Sequence, residues 1–308
     1  MSALPSLQRG AALIMALLVV ALAATLSSMM LWRQDVWLRQ VETQRDLAQT
    51  RLIAGAAIQW ARAVLAYDAR TSSFDHAGEP WAVKVPPTRV EGGEIGGEVT
   101  DEQGKWNLNN LIAGDGSINA KEQEVFRRLL RVLELPPVLA AALADWLDAD
   151  SDTLPDGAED DYYLALSPPY RSANRALTDV DGLLRVRGFT TAAVERLRPH
   201  VTALPGYHRV NVNTASALVL AALVPELSLG DVQQLLAQRK GIPYRDVADF
   251  RTRLPRPDIA ADGTQLDTRS RFFSVQLRAR YGRIAINTEA MLERQGVDWP
   301  AIVWQKFE

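Results

Sequence analysis

The sequence predicts an α+β fold: one long N-terminal helix, two groups of strands far apart along the chain, and a large α-helical insertion between them. Three observations carry this. An apolar run over residues 11–31 passes without Pro or Gly into a polar stretch of helical spacing. Strand patterning occurs at 81–85 and 94–100, and returns only at 272–281, 283–289 and the tail 299–307. Between residues 107 and 253 nearly every periodic segment is helical. Two N-terminal strands alone would be marginal without partners, so insertion of the helical block into an α+β domain explains the order better than two serial domains. Composition sets the bounds. The 308 residues are 47% hydrophobic and 23% charged, ordinary globular proportions. A net charge of −3 argues against a surface built for polyanions, and zero Cys excludes disulfides, thiolate metal sites and cysteine nucleophiles.

Residues 11–31, about 21 without a charge, have the length of a helix that crosses a bilayer. A secretory signal peptide has a shorter apolar core and a small-residue cleavage site beyond it, whereas Ser27 and Ser28 are too polar and too deep for one. A plain signal anchor is the simpler alternative. Arg9–Gly10, directly ahead of the run, resembles the type IV prepilin signal, which a membrane aspartic peptidase cuts after the glycine. That resemblance implies a mature chain beginning at Ala11. Pilins carry Glu at the fifth mature position, where this sequence has Met15. A lone carboxylate in an apolar filament core is costly, so Met15 suits a subunit with nothing stacked above it.

The helix continues past the membrane. Leu38, Val41, Ala48, Leu52, Ala56, Trp60, Val64 and Tyr67 recur at helical steps, so one helix from Ala11 to about Tyr67 would be roughly 85 Å long. Its outer half would present this stripe to a packed domain. A coiled-coil stalk is the competing reading, weakened by Arg45 in the stripe. Within the insertion, helices are expected at 120–133, 137–147, 179–184, 191–198, 214–223, 228–239 and 244–253.

Between the second and third of these lies an acidic turn. Asp148, Asp150, Asp152, Asp156 and Glu159 stand at relative positions 1, 3, 5, 9 and 12, the oxygen-ligand spacing of an EF-hand-like loop, with the Leu154 carbonyl at position 7. Thr153 occupies the sixth position, where a true EF-hand has Gly. Asp160 and Asp161 add charge. So many carboxylates repel one another unless a cation binds or all face water. Hard oxygen ligands favour Ca²⁺ or Mg²⁺, and the three His and absent Cys disfavour Zn²⁺. A solvated acidic loop is the alternative.

Two further stretches, 177–204 and 210–250, resemble the helix-hairpin-helix modules of DNA-uptake receptors, with Asn213 or Thr214 as a candidate N-cap. Such modules bind phosphate through the backbone N–H groups of a Gly-x-Gly hairpin, but this hairpin reads Val224-Pro225-Glu226-Leu227. It is read as a packing module. No Gly-x-Ser-x-Gly elbow, phosphate loop or His-Glu-x-x-His occurs, and His76, His200 and His208 lack ligand spacing, so no enzyme is expected.

Taken together, Arg9–Gly10, the missing fifth-position Glu, Ala144-Asp145-Trp146-Leu147-Asp148-Ala149-Asp150, Gly157-Ala158-Glu159-Asp160, Tyr170-Arg171-Ser172-Ala173-Asn174-Arg175 and Asn211-Val212-Asn213-Thr214-Ala215 resemble the general secretion pathway protein K family, the large minor pseudopilins of bacterial type II secretion. The resemblance implies a type IV pilin-like fold, a long N-terminal helix packed on an antiparallel sheet. It divides the chain into a leader (1–10), a transmembrane half-helix (11–31), a first pilin part (32–106), the inserted helical domain (107–253) and C-terminal pilin strands (254–308). It implies processing at Gly10–Ala11 by prepilin peptidase, and Ca²⁺ held among Asp148, Asp150, Asp152, Asp156, Glu159 and Asp160. It also implies an inner-membrane anchor and a periplasmic domain at the pseudopilus tip. There the chain would start and cap the filament beside the I, J and H minor pseudopilins and above the major pseudopilin, with no nucleic acid. The alternatives are a membrane-anchored periplasmic DNA receptor and, more weakly, a tip adhesin.

Overall fold

The structure is a computed structural model that describes residues 6–256 and 258–308. Helix α1 (Ser6–Thr71) is continuous. Gly10 lies on its backbone, while residues 1–5 of the leader lie outside the described residues. From Ala11 to Gln44 α1 is exposed on all sides, and among the described residues it is the helix long and apolar enough to span a bilayer. From about Asp46 onward one face is covered.

After α1 come strands β1 (Val85–Val90) and β2 (Gly93–Asp101), then the short β3 (Trp106–Asn107). The insertion follows with α2 (Ala120–Val132), α3 (Leu139–Leu147), α4 (Asp160–Leu164) and α5 (Thr191–Leu197), β4 (Val201–Thr202) and β5 (Val210–Asn211), then α6 (Ala217–Leu223), α7 (Leu229–Gly241) and α8 (Val247–Thr252). Strands β6 (Leu266–Asp267), β7 (Phe272–Tyr281), β8 (Ile284–Glu293) and β9 (Ala301–Phe307) close the chain. The main sheet is antiparallel in the order β1-β2-β7-β8-β9. Strand β2 pairs with β7 from Gly93 opposite Tyr281 to Asp101 opposite Phe273, although residues 102–271 lie between them.

Alternation along β7 sets the layers. Phe273, Val275, Leu277 and Ala279 point to α1 and pack with Ala54, Ile58, Ala61 and Leu65. Phe272 faces the other way, onto Leu204 and Met291. A separate, larger core fills the insertion, built around Trp106, Phe126, Trp146, Tyr163, Tyr244 and Phe250.

Several sequence expectations shift. Residues 80–82 form a 3₁₀ turn rather than a strand, because Trp81 is drawn into the core against Phe273 and its indole N–H donates to Glu79. The first strand begins at Val85, and its Pro86 and Pro87 are tolerated at the sheet edge. Helix α6 starts at Ala217 with Ser216 as N-cap. Asn213 is diverted to Tyr244, whose N–H and C=O it binds at 2.8 Å each. Residues 180–185 are 3₁₀ rather than α-helix.

The α1 stripe is corrected too. Ala54, Ile58, Ala61 and Leu65 meet the sheet, with Val64 of the expected stripe partly buried against them, while Leu52, Ala56, Trp60 and Tyr67 face outward. Small side chains let the helix axis lie close to β7. Trp60 on that face would hold it off.

Candidate functional site

The acidic turn is built from the end of α3 to the start of α4. Helix α3 is buried along its whole length, so the carboxylates in and beside its last turn cannot swing into water. Asp145 is 0% exposed, Asp148 1% and Glu159 4%. One Asp145 oxygen accepts the Leu154 N–H at 3.1 Å. Among the described residues, its other oxygen, both oxygens of Asp148 and both of Glu159 have no hydrogen-bond donor. Five buried carboxylate oxygens around one turn therefore stand without a partner, and each such group costs about 1–3 kcal/mol or more. The C-terminal end of α3 adds partial negative charge of the same sign.

Electrostatics report the same crowding. Burial, then the charges of Asp150, Glu159, Asp145 and Asp152, push the Asp148 carboxyl up to about 7. Burial likewise raises Glu159 against the nearby Ser172 hydroxyl, with Asp145 and Asp150 adding to it, and raises Asp145 against the Leu154 and Ala158 N–H groups. The sequence-derived residues thus separate into groups. Asp148 and Glu159 are inside, with Asp150 and Asp152 on the exposed rim near enough to act on Asp148. Asp150 also folds the turn by accepting the Asp152 N–H at 2.8 Å.

Asp156 is exposed in a left-handed turn, φ 68°. Asp160 turns away to Arg171 (2.6 Å) and to the N–H and hydroxyl of Ser172 (3.0 Å each). Those bonds outweigh its desolvation and hold it below the usual carboxylate range. Asp145 is the residue that spacing missed. It precedes the EF-hand-like register, and only its burial within α3 marks it.

The surrounding residues explain the segment 170–175. Asn174 donates to the Asp150 carbonyl at 3.1 Å and its N–H to the Trp146 carbonyl at 3.1 Å. Tyr170 and Tyr163 pack against the Trp146 ring to form an apolar back wall. Arg187 clamps the Gly157 carbonyl at 2.7 Å.

A second surface lies on α1. Leu52, Ala56, Trp60 and Tyr67 form an exposed stripe, with Trp60 56% exposed. It borders an apolar groove of about 520 Å³ lined by Ile53, Trp60, Trp81, Val85, Val90 and Ile95. The helix-hairpin-helix look-alike offers no comparable face. Val224 and Leu227 of its hairpin are buried, and the Leu227 N–H is spent on the Val224 carbonyl.

Comparison with known proteins agrees with this architecture. Family models described as type II secretion system protein K match residues 104–206 and 210–269. Type II secretion system protein K of Klebsiella pneumoniae is 36% identical over 304 residues, covering 94% of this chain and 93% of its own. The chain belongs to the type II secretion system protein K family. The protein K of Pseudomonas aeruginosa is 35% identical over 280 residues, covering 87% of this chain and 83% of its own. A chain in the crystal structure of the GspK-GspI-GspJ complex from enterotoxigenic Escherichia coli superposes with a TM-score of 0.75 at 25% identity, covering 87% of this chain and 99% of that one. As a protein K family member, the chain is a minor pseudopilin of the type II secretion system, with the pilin-like helix and sheet and the extra helical region.

Gly157 tests how closely the turn is built. A Cβ there would overlap the Asp145 carboxylate, which buried α3 cannot move. Gly157→Ala is expected to cost about 1–3 kcal/mol by denaturant unfolding, whereas Gly114→Ala, with open space around it, stays near wild type.

Proposed function

We propose that this minor pseudopilin starts and caps the pseudopilus, with its insertion as the cap. The observation that carries this is where the insertion leaves the sheet. The β7–β8 turn at Gly282 lies against Asp46 of α1, on the membrane side. The opposite end of the same strands is tied to the end of α1, through Arg294 to Asp68 and the Ser270 N–H to Asp75. The helical block is therefore attached at the end of the pilin head farthest from the bilayer, where the next subunit would stack. Met15 in place of the fifth-position Glu fits a subunit with no higher neighbour.

In this reading, inner-membrane insertion through residues 11–31 precedes cleavage by prepilin peptidase at Gly10–Ala11, and the folded part is periplasmic. The exposed α1 stripe and its groove would seat the I and J minor pseudopilins, as the Escherichia coli relative's complex suggests, with the H type and the major pseudopilin below. The role is structural rather than catalytic.

We further propose Ca²⁺ at the acidic turn. Asp145, Asp148 and Glu159 supply the orphaned buried oxygens, and Asp150 and Asp152 the rim charge. The donor set is all oxygen, which suits a hard divalent cation. Asp156 and Asp160 remain outer candidates. The cation would fix the turn and, with it, the end of α3.

Four outcomes test these readings. Trp60→Glu is expected to weaken co-purification with the I and J subunits more than tenfold, as truncation of a central aromatic does. Because Trp60 is exposed, stability should stay within about 0.5 kcal/mol. Undiminished binding rejects the stripe. Asp148→Ala with Asp150→Ala is expected to lower Tm in calcium and abolish the response to chelator.

The same site predicts a pH dependence. Metal-free Asp148 holds its proton up to about 7 against an ordinary value of 3.8, so its contribution to metal-free stability is lost as pH rises through about 7. Calcium requires the ionised carboxylate. The Tm increment from calcium should therefore grow between about pH 5.5 and 7.5, and a constant increment would count against the site. Finally, a bulky substitution at Gly10 is expected to leave an uncleaved precursor by N-terminal sequencing.

A further inference from the structure

Where the insertion meets the pilin head, a second set of carboxylates is buried. Asp68 at the end of α1 and Asp75 and Glu79 in the following loop bring oxygens within 4.8 Å of one another, and all three are buried. Asp101 at the end of β2 is buried beside them. The cation here is internal. Arg294, just after β8, donates to Asp68 at 2.9 Å, to both oxygens of Asp75 at 2.5 and 2.6 Å, and to the Ser270 carbonyl at 2.8 Å.

The remaining donors are almost all neutral. Asp101 accepts the hydroxyls of Ser270 and Thr214 at 2.6 Å each, the Asn211 amide at 3.0 Å and the Gln103 N–H at 2.8 Å. Glu79 accepts the His76 N–H at 2.9 Å and the Trp81 indole at 2.8 Å. The His76 imidazole stands 3.8 Å from the other Glu79 oxygen. Four carboxylates thus face one guanidinium and a rim imidazole. Fully ionised, the junction would hold at least two uncompensated negative charges out of water, which is costly.

We propose that the folded chain binds a proton at this junction, held on Asp68, and that this proton locks the helical insertion onto the pilin head. Several of the contacts that span the seam run through this group. Asn211 and Thr214 from the insertion reach Asp101. Asn211 also reaches the Asp75 carbonyl at 3.2 Å. Ser270, where the chain returns to the sheet, touches Asp75, Asp101 and Arg294. A neutral Asp68 leaves Arg294 free to serve Asp75, whereas an ionised one makes the two carboxylates compete for it.

Burial first, then the charges of Glu79 and Asp75, raise the Asp68 carboxyl to about 7, with Arg294 opposing. Burial raises Asp101 to about 6, against its hydroxyl partners. The folded chain therefore binds more protons than the unfolded chain between about pH 4 and 7. Stability from this source falls as pH rises through that window and levels off above it.

The test compares the full chain in detergent micelles, saturated with calcium, with Asp68→Asn. The ratio of the wild-type unfolding constant to that of the variant should rise by close to tenfold per pH unit between about pH 5 and 7. Asp101→Asn, as a control, should keep the wild-type slope over the upper half of that window. Infrared spectra of the wild type should show a protonated-carboxyl C=O band that titrates away near pH 7 and is absent in Asp68→Asn. Parallel stability profiles for wild type and Asp68→Asn would overturn the proposal, as would a titrating band undiminished in the variant, whereas a band reduced but not lost leaves the remainder to Asp148. Should Asp68→Asn fail to fold, spectra of Asp148→Asn, which removes the other carboxyl raised to about 7, still decide. No carboxyl titrating above about pH 6.5 would overturn the proposal, and one titrating there would uphold it.

Discussion

Nine residue pairs join β2 to β7, and the chain must close a loop of about 170 residues to make them. For a flexible loop of that length the closure entropy alone is roughly 5 kcal/mol. The insertion lowers that cost by folding on its own core with its two ends already adjacent. Parallel bridges tie β3 to β4 and β5 to β6. Gln103 spans the seam directly, its amide donating to the Arg209 carbonyl and its oxygen accepting the Arg271 N–H. Entry and exit strands are thereby held close together where the sheet aligns them. The pilin head is thus completed only when the inserted block is folded, so damage to either core is felt in the other.

Much of this was legible in the sequence, for identifiable reasons. The strand β7 was readable to the residue because it alternates strictly, with Phe273, Val275, Leu277 and Ala279 on one face and charged or polar residues largely on the other. The long helix was readable because nothing interrupts it before Gly55. Its orientation was not. Apolar residues occupy two faces of α1, and only the depth available against the sheet decides that alanines go inward and Trp60 outward. The EF-hand-like spacing pointed to Asp148 and Glu159, whose burial it could not show. It missed Asp145 because the deciding fact is tertiary: α3 is covered on every side. The junction was invisible for the same reason, since Asp68, Asp101, Asn211 and Arg294 are far apart in the chain.

The two faces of α1 also divide its work. The inward face is spent on holding one pilin head together, where small residues and β7 give close packing. The outward face carries large side chains that a lone subunit leaves in water, and burial of a residue like Trp60 would contribute about 2 kcal/mol or more to association. Such a face is a poor investment for a monomer and a reasonable one for a subunit among parallel helices.

The two buried acidic groups show opposite answers to one electrostatic problem. At the junction, the chain supplies Arg294, so that a single guanidinium ties α1, the following loop and Ser270 together. At the acidic turn no arginine or lysine among the described residues pairs with Asp145, Asp148 or Glu159, although Arg171 and Arg187 lie close by. Arg171 is taken by Asp160, and Arg187 by the Gly157 carbonyl and the Tyr162 ring. The nearby cations are held outside the cluster by partners of their own. A fold that can place Arg294 among three carboxylates could place one here. The five oxygens left without donors are the ground of the calcium proposal: Asp145 lies in α3, which is buried along its whole length, and Asp148 and Glu159 flank it at the ends of the turn.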